Sequence, residues 1–144
     1  MFSGETRDSQ RNGGRWRGDE PDVRVLIVDD QAVFRDALRT LVEAAPGFML
    51  VAEATCGEDA LAAIEEVSPQ LVVIDVRMPG LGGVETARAM RERVPQLALL
   101  LVSAQPAPGP WQTACEELEL PFAAKAELCP GVLRQTWEQR NAIG

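Results

Sequence analysis

The chain reads as an α/β domain, a doubly wound five-stranded parallel sheet with helices on both faces. Three observations predict this. Five short apolar runs alternate with segments of helical period along 144 residues, a length that suits one ordinary domain. The runs are nearly continuous in Val, Leu and Ile, the pattern of strands buried on both sides. Where a run ends in a polar residue, that residue is Asp, Ser or Lys, and in doubly wound sheets the site lies at the carboxyl ends of the strands.

The elements follow in order. VRVLIV (23–28) is the first strand and ends at Asp29-Asp30. Phe34, Leu38, Leu41 and Ala45 then recur at spacings of four, three and four, one face of a helix that Pro46-Gly47 stops. FMLVAEA (48–54) is the second strand. GEDALAAIEEVSP (57–69) is a helix with Leu61, Ile64 and Val67 inward, closed by Pro69. LVVID (71–75) is the third strand, apolar until its last residue, and RMPGLGG is a loop by its Pro and Gly content. Val84, Ala87, Met90 and Val94 mark the third helix, Gly83 to Arg93. LALLLVS (97–103) is the fourth strand. AQPAPGP (104–110) is a Pro-rich loop before a short helix from about Trp111 to Leu118. LPFAA (120–124) is the fifth strand, with Lys125 at its end. A last helix runs from about Gly131 to Arg140, with Val132, Leu133, Thr136 and Trp137 inward.

Residues 1–20 differ in kind. They are rich in Gly, Ser, Arg and acids and nearly free of aliphatic residues, so they cannot bury enough apolar surface to offset ordering. They read as a flexible tail, with 21–144 as the domain. The tail has no apolar run after its charges and so is no secretory signal. No apolar run approaches the roughly 20 residues that span a bilayer. Cys56, Cys115 and Cys129 form no CxxC pair and the chain has no His, which excludes a Cys/His zinc site. They read as three small, half-buried side chains in a reduced, cytoplasmic protein. The tail's four Arg balance its four acids, so the domain carries the whole net charge of −8. Such a domain repels phosphate backbones, and nucleic-acid binding is not expected.

The strand ends make the chemistry. Three carboxylates (Asp29, Asp30, Asp75), one hydroxyl (Ser103) and one ammonium (Lys125) are what Mg²⁺-assisted phosphoryl transfer uses. Mg²⁺ is a hard ion held by carboxylates, waters and phosphate oxygens, and the backbone carbonyl of Arg77 is a candidate further ligand. Alone, an adjacent Asp pair is as well explained by a helix cap. With Asp75 at another strand end, metal binding is the stronger reading. Asp75 is either a nucleophile on phosphorus or only a metal ligand or loop cap. Ser103 is either a donor to a phosphoryl oxygen or a turn residue. Lys125 stands out, since the chain has thirteen Arg and this single Lys. A compact ammonium, not a planar fork, suits a pocket where it pairs with Asp75 and then with a phosphoryl oxygen.

Together the blocks VLIVDD, LVVIDVRMPGLGGVE, LLLVSA and PFAAK resemble the receiver domain of two-component response regulators, over residues 23 to about 140. The DVRMPG wording is most similar to the NarL/FixJ subfamily. The resemblance implies a flavodoxin-like (βα)5 fold with strand order 2-1-3-4-5. It implies that Asp75 is the phosphoacceptor and that Asp29 and Asp30 hold Mg²⁺. It makes Ser103 the switch hydroxyl with small Ala104 beside it, Lys125 the pairing lysine, and Phe122 the switch aromatic. Pro79 and Gly80 shape the loop by the site. The implied partners are a sensor histidine kinase or phosphotransfer protein and a downstream protein, with a homodimer through the last third of the chain as a further expectation. Trp111, Phe122 and Trp137 lie in that third, either as a partner surface or as packing; Trp16 in the tail is an isolated aromatic.

The sequence also departs from the family. The usual Gly-Ala-x-Gly run before the aromatic is replaced by LELPFAAK, with Pro121 at a flexible position. Pro106, Pro108 and Pro110 crowd the loop after Ser103, which predicts a late or short fourth helix. Gly82 stands where Asp is common. Phosphorylation is therefore expected, with an atypical structural response. The chain is expected to be a signalling switch and not a turnover enzyme. A haloacid-dehalogenase-like phosphohydrolase needs a second Asp where Arg77 stands, and DDQAVF lacks the Gly-rich loop of a dinucleotide fold. Pseudo-receivers that serve as scaffolds usually lose part of the pocket kept here. The C-terminal NAIG lacks linker character, which favours a single-domain protein over the receiver piece of a DNA-binding regulator.

Overall fold

Successive residues of a strand face opposite sides of the sheet. A strand apolar at both parities must therefore bury two faces, and the central strands do so. The computed structural model describes residues 21–104 and 110–143. The element order is β1 (Val23–Val28), α1 (Ala32–Ala44), β2 (Phe48–Ala54), α2 (Gly57–Val67), β3 (Leu71–Asp75), α3 (Gly83–Arg93), β4 (Ala98–Ser103), α4 (Pro110–Glu117), β5 (Phe122–Ala124) and α5 (Pro130–Ile143). All strand pairs are parallel, in the order β2-β1-β3-β4-β5, as expected.

Strand parity sorts the core into two layers. Leu26, Val28, Val72, Ile74, Leu99 and Leu101 pack under α2, α3 and α4, with Ala60, Ile64, Ala87, Met90 and Cys115. Val25, Ile27, Val73, Leu100 and Val102 face the other way, against Leu38 and Val42 of α1 and Leu133 of α5. Most of these side chains are fully buried. Each such burial contributes about 1.5–3 kcal/mol before its entropy cost.

Element ends differ from the sequence expectations for local reasons. β5 is three residues long, because Leu120 N–H donates to Cys115 O to close α4. Pro121 has no N–H and gives the sheet only its carbonyl, to Leu101. β4 starts at Ala98, one residue late. α2 stops at Val67, where Ser68 turns left-handed (φ 48°) before Pro69, and Arg24 donates to the freed carbonyls of Val67 and Ser68. In α1 the residues under the sheet are Leu38 and Val42, joined by Ala45 just past its end, while Phe34 and Leu41 are half-buried. α4 has eight residues, the shortest α-helix described, and starts at Pro110, where a missing N–H costs nothing.

The cysteines do not share one environment. Cys115 is buried, Cys56 half-buried and caps α2 by accepting from Asp59 N–H, and Cys129 is exposed. The expected partner surface is also divided. Trp111 and Phe122 pack with the α2–α4 layer and Trp137 with the α1–α5 layer. No described helix is long and apolar enough to cross a membrane. The tail with Trp16, and the prolines Pro106 and Pro108, lie outside the described residues.

Candidate functional site

Parallel pairing brings every strand's carboxyl end to one edge of the sheet. The register sets Asp75 opposite Val102, and Ser103 opposite Ala124, so Lys125 emerges beside them. β1 lies next to β3 and delivers Asp29-Asp30 to the same edge. One carboxylate oxygen from each of Asp29, Asp30 and Asp75 lies within 4.8 Å of the others. Asp29 is fully buried, Asp75 is 5% exposed, and Asp30 faces solvent.

The two buried carboxylates are held differently. Asp29 Oδ1 accepts from Gln31 N–H at 2.9 Å, and Asp29 Oδ2 accepts from Lys125 Nζ at 2.6 Å. Arg35 donates to the Asp29 carbonyl at 2.8 Å. Asp75 is held loosely: its Oδ1 accepts from Arg77 N–H at 3.3 Å, and its Oδ2 lies 3.7 Å from Lys125 Nζ. The expected resting pair of Lys125 with Asp75 is present at 3.7 Å, and a closer pair with Asp29, at 2.6 Å, stands beside it. Asp29 has lost all contact with water, so its charge gains most from the ammonium. Burial pushes the Asp75 carboxyl up to about 6, and the Asp29 charge adds to this; the Lys125 ammonium and the Arg77 N–H pull the other way.

The remaining predicted residues fall around this centre. Ser103 is buried at the end of β4, and Ala104 is exposed at the rim. Phe122 is half-buried and meets Trp111 edge-to-face, with ring centroids 5.4 Å apart at 86°. Pro79 and Gly80 turn the chain after β3, and Gly80 takes φ 75°, a conformation that favours glycine. Arg77 offers its N–H to Asp75, and its side chain is exposed.

Sequence reasoning missed several neighbours. The Phe34 ring lies under Lys125, with Nζ 3.5 Å from the centroid. In the sequence Phe34 is one apolar residue of a helical stripe, and no spacing rule distinguishes it from core. Gln31 fixes Asp29 through its backbone N–H, which leaves no residue-type signal, and Arg35 through its guanidinium on the Asp29 carbonyl, one Arg among thirteen. An open groove of about 360 Å³ runs beside the pocket, lined by Phe34, Ala37, Leu41, Ala104, Lys125 and Leu128.

A family model described as "Response regulator receiver domain" matches residues 25–117, the stretch that holds Asp29, Asp30, Asp75 and Ser103. The chain belongs to this family. The receiver is 33% identical over 99 residues to response regulator GacA of Pseudomonas aeruginosa, covering 69% of this chain and 42% of that protein. It is 31% identical over 84 residues to transcriptional regulatory protein DegU of Brevibacillus brevis, covering 58% of this chain and 36% of that protein. The chain thus spans less than half the length of these relatives. Among solved structures, it superposes on the signal receiver domain of the response regulator NarL from Mycobacterium tuberculosis with a TM-score of 0.70 and 26% identity, covering 85% and 98% of the two chains. The response regulator domain of CheB from Thermotoga maritima shares the fold, with a TM-score of 0.73 at 23% identity over 83% and 97% of the chains. The family supports a phosphoacceptor role in two-component signalling.

Receiver domains bind Mg²⁺ at an acidic pocket, and the residues of this one fit that ion. The clustered donors are all carboxylate oxygens. Three ionised carboxylates facing one ammonium leave an excess of two negative charges, which a hard divalent cation offsets.

Proposed function

We propose that the receiver takes a phosphoryl group onto Asp75, in a Mg²⁺-dependent reaction, from a phosphohistidine of a sensor kinase or phosphotransfer protein. The observation that carries this reading is the convergence of Asp75 with Asp29, Asp30 and Lys125 at one rim of the sheet. Asp75 is the less tightly held of the two buried carboxylates, its Oδ1 3.3 Å from the Arg77 N–H and its Oδ2 3.7 Å from Lys125 Nζ, which leaves it the better placed for in-line attack. Its Oδ forms the new O–P bond as the P–N bond breaks, and the released imidazole nitrogen takes its proton from solvent. Asp29, Asp30, Asp75 and the Arg77 carbonyl would hold Mg²⁺, which would supply positive charge to offset that on the phosphoryl oxygens. Lys125 donates to one of those oxygens, and Ser103 to another. Ala104 keeps the entrance small-walled.

Output follows as a change in protein binding. When Ser103 is drawn to the phosphoryl group, an inward turn of Phe122 would shift the population of α4, β5 and α5. Here Phe122 rests on Trp111, with Pro121 and Pro110 immediately before the two residues, so that shift is restricted and the response is an atypical one. The groove beside α1 gives a phosphodonor protein access to the pocket from that side. The receiver works in the cytoplasm as a switch, without turnover of a substrate. Its output passes to a downstream partner, and its net charge of −8 disfavours nucleic acid as a direct ligand.

The test is incubation with acetyl phosphate, with Mg²⁺ or EDTA, read by intact mass with Asp75→Asn as control. One added phosphoryl group that needs Mg²⁺ and is absent from the variant is expected. No adduct, together with no binding of Mg²⁺ or beryllofluoride, would overturn the proposal in favour of a scaffold that works without phosphorylation.

A further inference from the structure

The ammonium of Lys125 is enclosed on three sides. Nζ lies 2.6 Å from Asp29 Oδ2, 3.7 Å from Asp75 Oδ2 and 3.5 Å from the centre of the Phe34 ring. The Lys125 side chain is 8% exposed, so this ring stands where water would otherwise solvate the charge. Phe34 belongs to neither buried apolar layer. It sits on α1, one turn after Asp30, packed on Lys125 and lining with it the open groove. An aromatic face attracts a cation, most strongly where water is excluded. A lysine carries its charge on a flexible four-carbon stem, so the ammonium goes where its surroundings hold it.

From this geometry, and resting on the proposed phosphoryl acceptance by Asp75, we propose that Phe34 is a positioning residue whose ring holds the Lys125 ammonium inside the acid pocket. Two consequences of opposite sign follow. The held ammonium is in place for the incoming phosphoryl oxygen, so the ring speeds phosphorylation. The same ammonium repels a divalent cation a few ångströms away, so the ring weakens Mg²⁺ binding. Removing the ring opens the groove side to water and lets the stem swing outward.

Phe34→Leu and Phe34→Tyr test this in the full chain, with acetyl phosphate as donor so that partner docking on α1 plays no part. Lys125 is the single lysine, so ¹³C-lysine labelling yields one ε-methylene signal. In the wild type that signal is shifted upfield by the ring. In Phe34→Leu the shift disappears, phosphorylation slows about tenfold and Mg²⁺ binds several-fold tighter. Phe34→Tyr, which keeps the ring face, stays near wild type in all three readouts. A wild-type phosphorylation rate and Mg²⁺ affinity in Phe34→Leu would overturn the inference. So would a joint fall of rate and affinity in both variants, which is the mark of a packing role. A wild type that binds Mg²⁺ but accepts no phosphoryl group sinks the proposed function alone; the lysine signal and the two Mg²⁺ affinities then still decide whether Phe34 holds Lys125.

Discussion

Asp75 shows how one residue is prepared by its surroundings. Burial, then the neighbouring Asp29 charge, raise its carboxyl to about 6, against the pull of Lys125. The folded state therefore keeps the Asp75 proton over a range, from about pH 4 to 6, where the unfolded chain has lost it. In that window the unfolded state binds fewer protons, so this contribution to stability falls as pH rises, and its cost is fully present above pH 6. Asp75→Asn removes the cost. Its thermal midpoint in metal-free buffer is expected to exceed wild type clearly at pH 8 and hardly at pH 4. Equal differences at both pH values would show that Asp75 is not strained by ionisation. The residue was legible as the polar end of an apolar run, and its environment was not. Which ammonium oxygen distance is short depends on Asp29 being the deeper carboxylate, and depth is a property of the packed sheet.

At the scale of elements, the approach of α3 to β3 is the tightest constraint on the pocket. A Cβ on Gly83 would lie 2.2 Å from Asp75 O and 2.7 Å from Val76 Cα, both backbone atoms that cannot rotate away. Gly83→Ala must push the start of α3 off the strand end that carries Asp75. A loss on the order of 2–4 kcal/mol in urea unfolding is expected, accompanied by slower phosphorylation. Unchanged stability would show that the helix start relocates freely. Helices and strands were legible because periods of 3.6 and 2 are written in the apolar residues. Their ends were not. The end of α4 is set by Leu120 N–H reaching Cys115 O, and β5 is shortened as a result. Val42, fully buried, was missed in α1 because the stripe Phe34, Leu38, Leu41 and Ala45 satisfied the period without it. The packed helix is turned so that Val42 faces the sheet and Phe34 faces Lys125.

For the whole molecule, the question is how a change at Asp75 reaches the α4–β5–α5 side. Phe122 rests edge-to-face on Trp111, and both pack onto the α2–α4 layer. α4 is short, begins at a proline, and is followed by a β5 whose entry is Pro121. Proline removes donors and narrows the backbone's choices, so fewer alternative arrangements are open to this side. Amide-exchange maps of the apo and beryllofluoride-bound protein are expected to differ around Ser103 and little across residues 110–140. Large protection changes across that span would show that the Trp111–Phe122 contact gives way and that the response is an ordinary one.

The sequence by itself determined the order and kind of the elements, the two-sided burial of the strands and the residues at their ends. It did so because apolar period is local, and because a polar residue closing an apolar run is visible one position at a time. That Asp29, Asp30, Asp75, Ser103 and Lys125 share a rim follows once the strands are parallel and adjacent in the order 2-1-3-4-5. Only the tertiary structure decided that Lys125 rests on Asp29, that Phe34 lies beneath it, and that Trp111 meets Phe122. Residues 29 and 125 are 96 positions apart, and 34 and 125 nearly as far. Contacts at such separation are set by strand register and helix rotation, which no local pattern of residues records.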